Sequence, residues 1–195
     1  MLYWLGYLLF RLLSRVFFPR KVSGKENIPA TGGFILASNH QSNLDPFVIG
    51  ISIKRRLSFV AKEALFRNWF LGFILSQWGA FPLRRESRDI GAVKEALKRL
   101  KQGYGLVIFP EGTRIKKDIR KFLPGVALLS AKSNVPVIPT FVHGTQEVLP
   151  PGAKRLNRHH VIVTFGKAIY QRPPETYLEM TVRIMQEIRA LSSQR

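Results

Sequence analysis

His40 and Asp45 stand with four residues between them in Asn39-His40-Gln41-Ser42-Asn43-Leu44-Asp45, directly after the apolar run Phe34-Ile35-Leu36-Ala37. A histidine with one unprotonated ring nitrogen accepts a proton near neutral pH, and a carboxylate on its other N–H holds the ring for that task. What the pair activates depends on the nucleophile. The chain has no cysteine and no G-x-S-x-G elbow, so the natural proton donor is a hydroxyl on a substrate. The pair points to transfer chemistry rather than a covalent triad. By themselves the two residues also fit a surface-turn histidine and a helix N-cap before Pro46.

A second cluster, Phe109-Pro110-Glu111-Gly112-Thr113-Arg114, follows the apolar run Leu106-Val107-Ile108. Gly112 lets backbone approach a ligand closely, Arg114 can grip a phosphate through two donors, and Glu111 can accept a hydrogen bond from a substrate hydroxyl. A solvated β-turn is the plain alternative. A third cluster, Gly79-Ala80-Phe81-Pro82-Leu83-Arg84-Arg85, again sets arginine at the end of an apolar stretch. His143, His159 and His160 have no cysteine or carboxylate arrangement of a metal ligand set and read as surface or loop residues.

Residues 20–29 read as a short strand and turn, and short apolar runs predict the strands that carry these clusters: 34–38, 57–61, 80–83, 106–109, 135–141 and 160–165. Helices are predicted after Asp45, with Asp45 as N-cap and Pro46 at the first helical position, and from Pro124-Gly125 to Lys132. Others follow from apolar spacing of three and four at Ile90, Val93, Leu97 and Leu100, and from Tyr177 to Leu191. Strands alternating with helices predict an α/β domain, a largely parallel mixed sheet flanked by helices, with functional loops at strand ends. The aromatic stretch from Phe66 to Phe81 is expected to pack in the core, with an acyl pocket or lipid contact as the alternative.

The chain of 195 residues suits one core, and its 46% apolar content is that of a folded protein. Thirty-one Lys and Arg against twelve Asp and Glu leave a net charge of +19, which calls for anionic partners. In the first nineteen residues the arginines follow the apolar stretch and Pro19 closes it, which argues against a cleaved signal; Arg11 and Arg15 leave too few apolar residues for a span of about 20. Trp4, Tyr7, Arg11 and Ser14 to Arg15 form a narrow polar stripe on an apolar cylinder, so residues 1–19 are expected to lie as an amphipathic helix in a membrane interface. A helix packed on the core is the alternative. Residues 20–195 then form the single α/β domain.

Taken together the clusters resemble the glycerolipid acyltransferases, the family that includes 1-acyl-glycerol-3-phosphate (lysophosphatidic acid) acyltransferase. Asn39 to Asp45 is similar to their N-H-x-x-x-x-D block, Gly79 to Arg85 to their second block and Phe109 to Arg114 to their F-P-E-G-T-R block. Val135-Pro136-Val137-Ile138-Pro139 resembles the fourth, and Gly24 to Pro29 also fits. The resemblance implies that His40 takes the proton of an acceptor hydroxyl as it attacks an acyl thioester, with Asp45 orienting the ring. It implies an acceptor site made by Arg85, Glu111, Gly112, Thr113 and Arg114. Many relatives carry an acidic residue where Arg84 stands here, so the phosphate ligand is either Arg84 or Arg85.

The resemblance further implies phosphatidic acid as product, acyl-CoA or acyl carrier protein as co-substrate with no other cofactor and no metal, and a peripheral or monotopic place on the cytoplasmic face of the cell membrane. The sequence does not say which groups meet an oxyanion; backbone N–H groups near Pro46 and in the Glu111-Gly112 turn are both candidates. Another lysolipid or glycerol-3-phosphate is the alternative acceptor. A nucleic-acid-binding protein also fits the charge, but no recognition-helix, RRM, KH or zinc-finger pattern is present. A catalytically dead scaffold has little motive while His40, Asp45, Glu111 and Arg114 are intact.

Overall fold

The computed structural model describes residues 2–83, 89–111, 125–153 and 155–193. In chain order the elements are α1 (Leu2–Phe17), β1 (Arg20–Ser23), β2 (Phe34–Ser38), α2 (Asp45–Ser52), β3 (Leu57–Lys62), α3 (Trp69–Gln77), β4 (Ala80–Leu83) and α4 (Ile90–Lys101). They continue with β5 (Gly105–Ile108), α5 (Gly125–Ser133), β6 (Val137–His143), the single turn α6 (Thr145–Val148), β7 (Val161–Phe165) and α7 (Tyr177–Ser192). The strands form one sheet in the order β1-β7-β6-β2-β5-β3-β4. Every neighbouring pair is parallel except β6 and β7, so β7 and β1 run against the other five. The expected largely parallel mixed sheet is therefore present.

Period-two alternation divides the core between the two faces of the sheet. Ile35, Ala37, Leu106 and Val137 join the buried side chains of α4, α5 and α7, whereas Phe34, Leu36, Val107 and Ile138 join Val48, Ile49 and Phe18 on the side of α1 and α2. Because β2 is covered on both faces, all five of its residues are buried, which is why it reads as an unbroken apolar run. The C-terminal ends of β2, β5, β3 and β4 lie on one edge of the sheet, and the segments carrying His40 and Glu111 both begin there.

Three details differ from the sequence-based expectations. Asp45 is not an N-cap: it is the first residue of α2, Leu44 caps the helix without a side-chain bond, and the Asp45 carboxylate turns back to the preceding loop. On α4 the buried line is Ala92, Ala96 and Leu100, flanked by Val93 and Leu97, while Ile90 stays exposed. Small alanines lie innermost and let the helix sit close to the sheet; its capping residue, Asp89, accepts from the Ala92 N–H at 2.9 Å.

The third difference is the largest. The Phe66 to Phe81 stretch is not uniformly core: Phe81 is buried, but on α3 only Gly72 is, and Trp69 is 81% exposed alongside exposed Phe70, Leu71, Phe73 and Ile74. Helical periodicity cannot distinguish a face that meets protein from one that meets something else apolar. α1 likewise leaves apolar side chains uncovered. The stripe is divided: Tyr7 and Ser14 turn to the body beside buried Tyr3 and core-packed Phe10, whereas Trp4 and Arg15 are exposed together with Leu5, Leu8, Leu9, Leu12, Leu13 and Val16. Trp78 joins the two helices: it caps α3 and meets Phe10 of α1 edge-on at 5.6 Å between ring centroids.

Candidate active site

The chain leaves β2 at Ser38 and must turn into α2 within six residues, and Asn39 fixes where it leaves. Its side-chain amide donates to the Val142 carbonyl and accepts from the Val142 N–H, both at 2.8 Å, extending the β2–β6 ladder by one side chain. His40 follows immediately, with its side chain 17% exposed. Its Nδ1 lies 2.8 Å from Asp45 Oδ2.

Asp45 is fully buried, at 0% exposure, so its charge needs fixed donors in place of water. Besides His40, the N–H groups of Gln41 and Ser42 donate to Oδ2 at 2.7 and 2.9 Å, and the Thr145 hydroxyl donates to Oδ1 at 2.5 Å. A carboxylate held this way accepts from a protonated Nδ1, which leaves Nε2 with its lone pair free. The tautomer follows from the network, and it is the one a general base requires.

Two serines flank the histidine, and neither is free to be acylated. Ser38 is buried and donates to the Asn39 carbonyl at 3.0 Å; Ser42 is buried and donates to the Leu149 carbonyl at 3.2 Å. The donors proposed near Pro46 for an oxyanion are largely committed as well. Gln41 and Ser42 donate to Asp45, the Asp45 N–H donates to the Ser42 carbonyl, and Pro46 has no N–H.

β5 lies beside β2, and the residues after it reach the histidine. Phe109 stacks on the imidazole with ring centroids 4.1 Å apart and planes 23° from parallel. An aromatic face against the ring fixes its plane. Glu111 is half-buried close by. Burial raises its carboxyl above the ordinary range, and the His40 backbone N–H, the His40 ring and Arg189 of α7 pull it partly back. The structure thus brings His40, Asp45 and Glu111 together, whereas Arg84, Arg85, Gly112, Thr113 and Arg114 lie outside the described residues. His143 ends β6 and stacks on Phe141, and His159 and His160 are exposed.

Sequence reading missed Thr145 and Phe109 as parts of this site. Thr145 sits one residue after Gly144, whose φ of 88° admits few side chains and whose missing Cβ leaves room for the His160 carbonyl. That tight turn at the end of β6 swings Thr145 back over Asp45. A glycine followed by a buried threonine at a strand end was the local signal, but nothing local connects it to residue 45.

A strand-end histidine wired to a buried aspartate, on a largely parallel sheet, defines the class. Residues 19–143 match the family model described as Acyltransferase, and the chain belongs to that family. It is 28% identical over 180 residues to the 1-acyl-sn-glycerol-3-phosphate acyltransferase of Bacillus subtilis, covering 89% of this chain and 88% of that protein. It is 32% identical over 159 residues to the chloroplastic 1-acyl-sn-glycerol-3-phosphate acyltransferase BAT2 of Brassica napus, covering 79% of this chain and 46% of the plant protein, so it spans about half that relative's length. The crystal structure of the 1-acyl-sn-glycerophosphate (LPA) acyltransferase PlsC from Thermotoga maritima superposes with a TM-score of 0.77 at 25% identity. That superposition covers 96% of this chain and 79% of that one.

Proposed function

We propose that the protein transfers a fatty acyl group from an acyl thioester, acyl-CoA or acyl carrier protein, to the free hydroxyl of 1-acyl-glycerol-3-phosphate, giving phosphatidic acid. The observation that carries this reading is His40 Nδ1 held 2.8 Å from a buried carboxylate, while both neighbouring serine hydroxyls are spent on backbone carbonyls. The names of the relatives support the acceptor.

In the proposed step the acceptor O–H gives its proton to His40 Nε2 as its oxygen bonds to the thioester carbon. The tetrahedral intermediate then breaks its C–S bond, and the leaving sulfur takes the proton back from the imidazolium. Asp45 holds the ring throughout. Glu111 accepts from the glycerol portion of the acceptor, and Arg114 with Arg84 or Arg85 holds the phosphate. A positioned general base contributes roughly 10²- to 10⁴-fold, about 3 to 5 kcal/mol of barrier.

The reaction is placed at a membrane surface, on its cytoplasmic face. No helix among the described residues is long and apolar enough to cross a membrane. The outward leucines of α1 and the aromatic side chains of α3 supply a surface for the headgroup region, and a net charge of +19 suits an anionic leaflet. The test is an assay in vesicles with a labelled acyl thioester and a panel of lysolipid acceptors, using the parent protein and His40→Ala. The reading expects acylated product from lysophosphatidic acid in preference to phosphate-free acceptors. It also expects at least about a 100-fold loss in His40→Ala with an unchanged circular dichroism spectrum. Near-normal turnover in that variant would exclude His40 as the base.

A further inference from the structure

Away from His40, a cavity of about 380 Å³ opens between α1, β1 and the C-terminal end of α2, within the roughly 300 to 1,000 Å³ typical of small-ligand clefts. Among the described residues its lining includes Arg11, Arg20, Lys25, Lys54 and Arg55 and no carboxylate. Other lining residues, Pro29 and Ala30 before β2 and Ile53 before β3, place it toward the edge where those strands begin. His40 follows the opposite end of β2, a strand of five residues spanning roughly 16 Å.

The cations there are held by neutral groups. Arg55 is spent on the fold, donating to the carbonyls of Pro29, Gly32 and Gly103. Arg11 donates to the Tyr7 hydroxyl at 3.0 Å, and Arg20 donates to the Ser14 hydroxyl and, at 3.4 Å, to the Ile51 carbonyl. Burial lowers the Arg20 pKa, and the nearby charges of Arg11 and Arg15 lower it further. Like charges converging in a partly dry cavity, with no acid among the described residues of its walls, leave an electrostatic cost that an anion would relieve.

We propose that this cavity binds the phosphate of an anionic phospholipid that is not the substrate, fixing α1 at headgroup depth. The inference rests on the membrane reading above. With the leucine face of α1 in the acyl region, its inward side, bearing Tyr7 and Arg11, stands at the level of the lipid phosphates. Val22 and Ile28 on the cavity wall suit the start of a glycerol backbone, which an inorganic anion would not use.

The test compares two triple variants that each remove three positive charges. One is Arg11→Gln, Lys25→Gln and Lys54→Gln, which spares Arg20 because it ties α1 to α2. The other is Lys94→Gln, Lys98→Gln and Lys101→Gln on α4, in the helix layer across the sheet. Sedimentation is measured with phosphatidylcholine vesicles with and without phosphatidylglycerol, and melting temperatures are taken alongside. The cavity triple should lose about tenfold or more of the phosphatidylglycerol-dependent binding at an unchanged melting temperature, and the α4 triple little of it. Equal losses in both triples would mean diffuse attraction and overturn the site, as would full binding by the cavity triple. Inorganic phosphate raising the parent's melting temperature as much as phosphatidylglycerol vesicles do would overturn the lipid assignment. Turnover in detergent micelles separates the two readings: the cavity triple keeps it, and His40→Ala loses it whether or not it binds vesicles.

Discussion

Thr145 places its hydroxyl 2.5 Å from Asp45 Oδ1, a contact between residues 100 apart in the chain. It is the one donor to Asp45 among those described that comes from outside the 40–45 loop, so it locks that loop to the end of β6. Thr145→Val keeps the shape and removes the donor. Leaving a buried acceptor oxygen unpaired costs about 1 to 3 kcal/mol of stability, and a share of about 1.4 kcal/mol falling on the transition state lowers kcat roughly tenfold. Steady-state kinetics should show kcat falling with the acceptor KM unchanged, and Thr145→Ser should restore it. If kcat holds while the melting temperature drops, Thr145 is a packing residue only.

Glu111 should leave a signature in the pH dependence of stability. Burial raises its carboxyl above the ordinary value of 4.5, so the folded chain binds this proton more tightly than the unfolded one. Its stabilising contribution is complete below the unfolded value and disappears as pH rises through the higher folded value. Glu111→Gln removes that loss. The variant should therefore melt above the parent at neutral pH and converge with it at acidic pH, while its acceptor KM rises. Thermal melts across pH would refute the reading if the parent were the more stable at neutral pH.

The exposed side chains of α3 predict a membrane contact separable from the fold. Replacing Trp69 and Phe73 by serine removes two rings that touch little protein, so stability should change by less than about 1 kcal/mol. Each ring taken into an apolar phase is worth roughly 1.5 to 3 kcal/mol, so vesicle binding should fall by about 100-fold or more. Brominated lipids should quench tryptophan fluorescence in the parent and less in this variant. Unaltered partitioning would show that α3 faces water.

Much of the scaffold was legible because short apolar runs bounded by Gly and Pro have few alternatives: Phe34 to Ser38 is a buried strand from either direction of reasoning. The pairing of His40 with Asp45 was legible for a similar reason, since both sit in one short loop. What escaped were relations set by the tertiary fold. Thr145 reaches Asp45 only because β6 lies beside β2, and Phe109 covers His40 only because β5 lies on the other side. Asp45 looked like a cap because Pro46 follows it, yet the loop's own N–H groups and the imidazole offered its carboxylate more donors than the helix did. The outward apolar side chains of α3 were misjudged because hydrophobicity specifies an apolar neighbour and not which one. Arg84, Arg85 and Arg114, read as phosphate ligands, lie outside the described residues.

Asn39 carries one more implication. By letting a side-chain amide stand in for main chain against Val142, it roots the imidazole at the end of the sheet's middle strand. The proton acceptor is thus a stationary post. Whatever adjustment lets two greasy reactants slide together must come from the reactants themselves or from parts of the polypeptide remote from that post.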